Sequence, residues 1–165
     1  MKKVTKTTLT TIENLIRKNP SESVYIINKE GKILWNSSTG IKSVYGHSVD
    51  ISTAGNIEGT YLTHNHPPQG GEKNNSFSID DIKVLYAHNL LEIRAVSTDY
   101  TYTMKLKQPG KYLDIQATVS YIGTQLDREI KESFKNTGEF PFDDYNHQLW
   151  TRTSKIIDNM KYKRN

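Results

Sequence analysis

The chain has five histidines and no cysteine, so a transition metal held by its side chains must rely on imidazole and carboxylate. Two of the histidines stand two residues apart in Thr63-His64-Asn65-His66-Pro67. The preceding Gly59-Thr60-Tyr61-Leu62-Thr63 is rich in β-formers and reads as a strand running into the pair. On an extended backbone, residues i and i+2 share a face. Both imidazoles can therefore aim at one point while Asn65 faces away. Pro67 ends the strand, having no N–H for a sheet ladder. Beyond a Gly/Asn-rich loop, Ser76-Phe77-Ser78-Ile79-Asp80-Asp81 leads into an apolar run at helical spacing (Ile79, Ile82, Leu85, Tyr86, Leu90), which predicts a helix starting after Ser78. Asp81, in its first turn, completes two His plus one Asp, a set suited to Zn²⁺ with a fourth position left for water.

Each part also has an ordinary explanation. Ser78-x-x-Asp81 fits a capping box, and Asp is favoured near any helix N-terminus. A pair of strand histidines is commonly a pair of surface residues. What raises the specificity is order: the His pair, the Pro stop, the glycine loop and Ser-x-x-Asp follow one another between residues 64 and 81.

That ordered set resembles the JAMM motif of the JAB/MPN metalloprotease superfamily, which includes deubiquitinating isopeptidases and RadC-like proteins. His64-Asn65-His66-Pro67 is similar to the form in RadC-like members. The resemblance implies that His64, His66 and Asp81 bind Zn²⁺ and that Ser78 supports the reaction intermediate as a hydrogen-bond donor. It also implies an upstream glutamate at the start of the first core strand. Glu22 has that context, 42 residues before His64. A metal-activated water needs a base as it attacks a carbonyl, and a carboxylate within reach can serve. Glu13, Glu30 and Glu58 compete for that role, and Glu22 can equally be a solvated strand-edge residue. The chain departs from the family in the interval between His66 and Ser78, which is longer than usual. The added residues fall in Gln69-Gly70-Gly71-Glu72-Lys73-Asn74-Asn75, where a loop grows at small entropic cost.

The elements that must position these groups follow from periodicity. Residues 8–18 read as an amphipathic helix with Leu9, Ile12, Leu15 and Ile16 on one face, begun by a capping box from Thr10 to Glu13 and stopped by Asn19-Pro20. Residues 22–27 and 32–35 flank Asn28-Lys29-Glu30-Gly31 as a hairpin. Residues 41–49 read as a further strand region and 50–56 as loop. After the motif helix (79–90), strands are expected at 91–97 and 100–106, with Pro109-Gly110 breaking the pattern. Ile115, Val119, Ile122, Leu126, Ile130 and Phe134 mark a long helix, ended near 136–141. A final helix from about Asp143 carries Leu149, Thr153, Ile156, Ile157 and Met160 on one side. The expected fold is α/β (α+β). By resemblance it is a curved mixed sheet flanked by helices, JAB/MPN-like and hence cytidine deaminase-like. Residues 1–110 would form the hydrolase core and 111–165 a helical extension packed on it, the whole one compact domain.

Composition bounds the rest. The chain of 165 residues, 35% hydrophobic and 24% charged, suits one globular domain with a real core. The basic start Met1-Lys2-Lys3 is followed by no long apolar run, so neither a signal peptide nor a membrane span is expected, and the expected location is the cytoplasm. A net charge of +4, partly at the two ends, lacks the basic stripe with interleaved aromatics of a nucleic-acid footprint. His47, His88 and His147, the two tryptophans and the ten tyrosines read as packing or surface residues. The expected function is zinc-dependent amide hydrolysis, as a peptidase or isopeptidase acting on a protein or peptide substrate, with a ubiquitin-like or isopeptide-linked conjugate as one form. The alternatives are a RadC-like, DNA-associated metal-binding module and a non-catalytic MPN-type scaffold. Similar segments in phage and mobile-element proteins make such a source an expectation by association.

Overall fold

A computed structural model of the protein describes residues 1–37, 41–42, 49–68, 73–107 and 112–165. In chain order its elements are α1 (Lys3–Ile16), β1 (Val24–Ile27), β2 (Ile33–Asn36), β3 (Ile41–Lys42), β4 (Val49–Asp50), β5 (Tyr61–Asn65), α2 (Ile79–Ala87), β6 (Glu92–Val96), β7 (Thr101–Leu106), α3 (Tyr112–Thr137), α4 (Tyr145–Ile156) and β8 (Met160–Arg164). Six strands form one mixed sheet in the order β2-β1-β5-β6-β7-β8, and β3 pairs with β4 separately. Among the described residues only β5 and β6 pair in parallel, and α2 is the crossover between them.

The two-residue period of the strands sorts side chains between two layers. Val24 and Ile26 of β1, Leu62 of β5, and Ile93 and Ala95 of β6 pack with α2, α3 and α4 in the larger core. Ile27, Tyr61 and Val96 point the other way, onto Leu9, Ile12 and Ile16 of α1. Helices therefore cover the sheet from both sides.

The helices differ from the sequence reading in several places. Helix α1 starts at Lys3, not at residue 8, because nothing in its polar first turns breaks a helix. Its buried stripe runs through Thr5, Leu9, Ile12, Glu13 and Ile16, which leaves Leu15 70% exposed. Glu13 is thus no cap. It is buried against β5 and β6, where it ion-pairs with Arg94 and accepts from Thr63 Oγ1 at 3.3 Å. On α3, Phe134 is exposed and stacks edge-on with Phe140 at 4.8 Å instead of joining the core.

The final helix ends at Ile156, and Met160 begins a strand. β8 lies antiparallel to β7, with Leu106 opposite Met160 and Met104 opposite Tyr162. The C-terminal region is therefore not purely helical; it supplies the sheet's last strand. The expected strand region 41–49 is described only at its ends, as β3 and β4. The Pro109-Gly110 break and His47 lie outside the described residues. Among the described residues, no helix is long and apolar enough to cross a membrane.

Arg94 sits between Glu13 and Glu92, whose second oxygen meets Lys105 Nζ at 2.6 Å. Removing one member of such a buried pair leaves a charge without its partner, which costs about 3 kcal/mol or more. Glu13→Ala is expected to lower the urea-unfolding free energy by roughly that amount. A loss under about 1 kcal/mol would mean that Glu92 alone satisfies Arg94.

Candidate metal centre

The pairing of β1 with β5 sets the site. Val24 lies opposite His64 and Tyr25 opposite Thr63. Continuing that antiparallel register by two residues brings Glu22 opposite His66, and the two-residue period puts Glu22 on the face shared by Val24 and His64. Asn65, on the other face, is fully buried and fastens this approach. Its Oδ1 accepts from Ser23 N at 2.7 Å, and its Nδ2 donates to the carbonyls of Ser21 (3.2 Å) and Asn19 (3.3 Å). Asn65 does face away from the histidines, as the alternation predicts, but it holds the segment that carries Glu22.

Helix α2 brings the third group. Ser78 is its N-cap and Asp81 its third residue, and the reciprocal capping box is complete. Asp81 Oδ2 accepts from Ser78 N at 2.7 Å and from Ser78 Oγ at 2.8 Å. That leaves Oδ1 turned toward His64 Nε2, 3.0 Å away. The cap thus aims the carboxylate.

His64 Nε2 and His66 Nε2 are 2.8 Å apart, and His66 Nε2 is 3.5 Å from Asp81 Oδ2. Around a tetrahedral ion with bonds of about 2.05 Å, neighbouring donors stand about 3.3 Å apart. The present spacing therefore needs only shifts of a few tenths of an ångström. His66 Nδ1 lies 2.9 Å from the Asn75 carbonyl oxygen, which can only accept, so Nδ1 carries a proton and Nε2 of the neutral ring presents a lone pair. These three atoms lie close enough to share a metal ion, or, without one, a hydrogen carried on His64 Nε2. The donor set fits zinc. His64 is buried, with a Nδ1 that has no hydrogen-bond partner among the described residues, while His66 (19% exposed) and Asp81 (16%) open to solvent.

Electrostatics agree with the geometry. Burial raises the Asp81 carboxyl, but the facing His64 and His66 outweigh it and hold the group well below the usual carboxylate range. Burial lowers His66, but Asp81, the Asn75 carbonyl and Glu22 together raise it above an ordinary histidine. Glu22 is pushed upward mainly by burial, with Asp81 adding, against the pull of both histidines and of the Val49 N–H that donates to it. Glu22, His64 and Asp81 line one cavity of about 60 Å³.

The competing glutamates lie elsewhere. Glu13 is on the α1 face, Glu30 is exposed beside Lys2 (3.3 Å), and Glu58 accepts from Asn89 at 2.8 Å. His88 is the exposed C-cap of α2. His147 bonds the Tyr162 hydroxyl at 2.8 Å and belongs to C-terminal packing.

Sequence reasoning missed the groups that brace the site. Trp150 Nε1 donates to the Phe77 carbonyl at 2.7 Å, and Ser76 Oγ lies 2.8 Å from the Tyr162 hydroxyl. Asn74 bonds Ser97 Oγ (2.8 Å) and Asp99 N (3.0 Å). Helix α4, strand β8 and the β6–β7 turn therefore hold the segment that delivers Asn75, Ser78 and Asp81. A polar loop shows no periodicity from which such contacts are read. Compared with family models, curated proteins and solved structures, the chain finds no match.

The two opposite shifts predict a pH window for the metal-free protein. The depressed Asp81 stabilises above the ordinary carboxylate value, and this is lost as pH falls through its lowered pKa. The raised His66 stabilises fully below the ordinary histidine value, and this is lost as pH rises through its raised pKa. In chelator, their joint contribution is expected to be greatest between about pH 4 and pH 6.5. Thermal melts from pH 6 to 9 should show an alkaline loss that His66→Ala lacks; parallel profiles would contradict the assignment.

Proposed function

We propose that the protein is a zinc-dependent amide hydrolase with a JAB/MPN-like core, acting on a peptide or isopeptide bond. The observation that carries this reading is the convergence of His64, His66 and Asp81 with Glu22 beside the same cavity. The six-stranded mixed sheet flanked by helices is compatible with such a core. His64 and His66 through Nε2, together with the Asp81 carboxylate, would hold the ion. When bound, zinc supplies an activated water near neutral pH and polarises the carbonyl.

The remaining work falls to the chain's own groups. Glu22, raised by burial, is suited to take a proton from the attacking water and to deliver it to the leaving amine. Val49 N–H fixes the carboxylate, and Asn65 fixes the backbone on either side of it. Ser78 Oγ, exposed at the α2 N-terminus, is bonded to Asp81. Donating to a developing oxyanion requires that hydroxyl to leave Asp81 Oδ2, which the Ser78 backbone N–H continues to hold.

Three substitutions separate the roles. Asp81→Asn should release zinc, read by elemental analysis after dialysis. Glu22→Gln should retain zinc and lose peptide hydrolysis; activity that survives would assign the base elsewhere. Ser78→Ala should retain zinc, cost about 1 kcal/mol as a lost cap, and lower kcat by about 100-fold if the hydroxyl stabilises the oxyanion. An unchanged kcat would confine Ser78 to capping.

A further inference from the structure

The cavity beside the site has a character that the hydrolytic groups do not explain. Among the described residues, its wall apart from Glu22, His64 and Asp81 is aliphatic. Val24, Leu62 and Ile93 form a buried floor from β1, β5 and β6, and the half-buried Val49, Ile51 and Val84 form the rim. Aliphatic walls give water few hydrogen-bond partners, whereas they suit an apolar group held next to a few placed polar ones. The volume of about 60 Å³ is well below that of an apolar cavity that holds a benzene ring, about 150 Å³. That space takes a methyl or isopropyl group and is too small for an aromatic ring. The rim is also tied to the base, because the Val49 N–H donates to the Glu22 carboxylate.

Resting on the hydrolase reading above, we propose that this hollow is a specificity pocket for a small aliphatic side chain, alanine- to valine-sized, on the acyl side of the scissile amide. The group attached to the carbonyl carbon is the one that must lie beside both the ligands and Glu22. Those same groups, Glu22, His64 and Asp81, line the hollow. The floor belongs to the six-stranded sheet, and the rim comes from Val84 of α2, Val49 of β4 and Ile51 just beyond it; in a small aliphatic site, one methylene too many costs about 10- to 200-fold.

Calorimetric titration of the zinc-loaded protein with acetohydroxamate, isobutyrohydroxamate and benzohydroxamate tests this without relying on turnover. Isobutyrohydroxamate should bind at least about 10-fold more tightly than benzohydroxamate. Val84→Phe, which fills the rim, should remove the advantage of isobutyro- over acetohydroxamate and leave acetohydroxamate binding in place. Ile51→Ala should improve benzohydroxamate. Ligand-observed NMR of isobutyramide, a weak metal binder, should show contact with wild type and none with Val84→Phe. Equal affinities across the series, absence of hydroxamate binding to the zinc-loaded protein, or indifference to both rim variants would overturn the pocket and leave the metal centre standing. Failure of the wild type to take up zinc would overturn the hydrolase reading, and the pocket with it.

Discussion

The site depends on one pairing, that of β1 with β5, and on the buried side chain that fixes it. Residues 42 positions apart in the chain become neighbours because Val24 lies opposite His64. A slip of one residue would turn Glu22 to the wrong face, since strand side chains alternate with a period of two. Asn65 opposes such a slip. Wholly buried, it uses both ends of its amide on the backbone of residues 19–23, and a buried amide with those bonds broken would be costly. The residue between the two histidines therefore aligns Glu22, the proposed acid–base group, just ahead of the neighbouring strand.

The second constraint is how the Asp81 carboxylate divides its oxygens. Read from sequence, Ser78-x-x-Asp81 is either a helix cap or part of a ligand set. In the structure the two roles are compatible, because the cap occupies Oδ2 and leaves Oδ1 facing His64. The cap orients the would-be ligand and costs it nothing as a donor. The same economy extends to the C-terminal region. Trp150 and Tyr162 bond the segment just before α2, so the last elements of the chain stabilise the approach of Asp81 without entering the site.

How much of this was legible depends on the range of the cause. The i, i+2 histidines, the cap of α2, the β1–β2 hairpin and the strand before the histidines are local patterns, and the structure places them where periodicity does. Glu22 was legible only through its context before a strand. Its approach to His66 needs the β1–β5 register, which no local pattern states. Glu13 was misread as a cap because its burial is determined by Arg94, 81 residues away. β8 was hidden for a similar reason. Ile156, Ile157 and Met160 continue the helical spacing of α4, yet Ile156 is left exposed and Met160 finds its place opposite Leu106 of β7. Its alternation of lysines with Met160 and Tyr162 is an edge-strand pattern, but it is too short to outweigh the helical signal before it.

The most direct test of the central claim is the zinc-edge X-ray absorption spectrum of the protein after addition of one equivalent of the metal. The account predicts a four-coordinate nitrogen and oxygen shell at about 2.0 Å with the outer-shell scattering of two imidazoles. A shell of oxygens alone, or scattering from a single imidazole, would show that His64 and His66 do not share an ion, and the hydrolytic reading would lose its foundation.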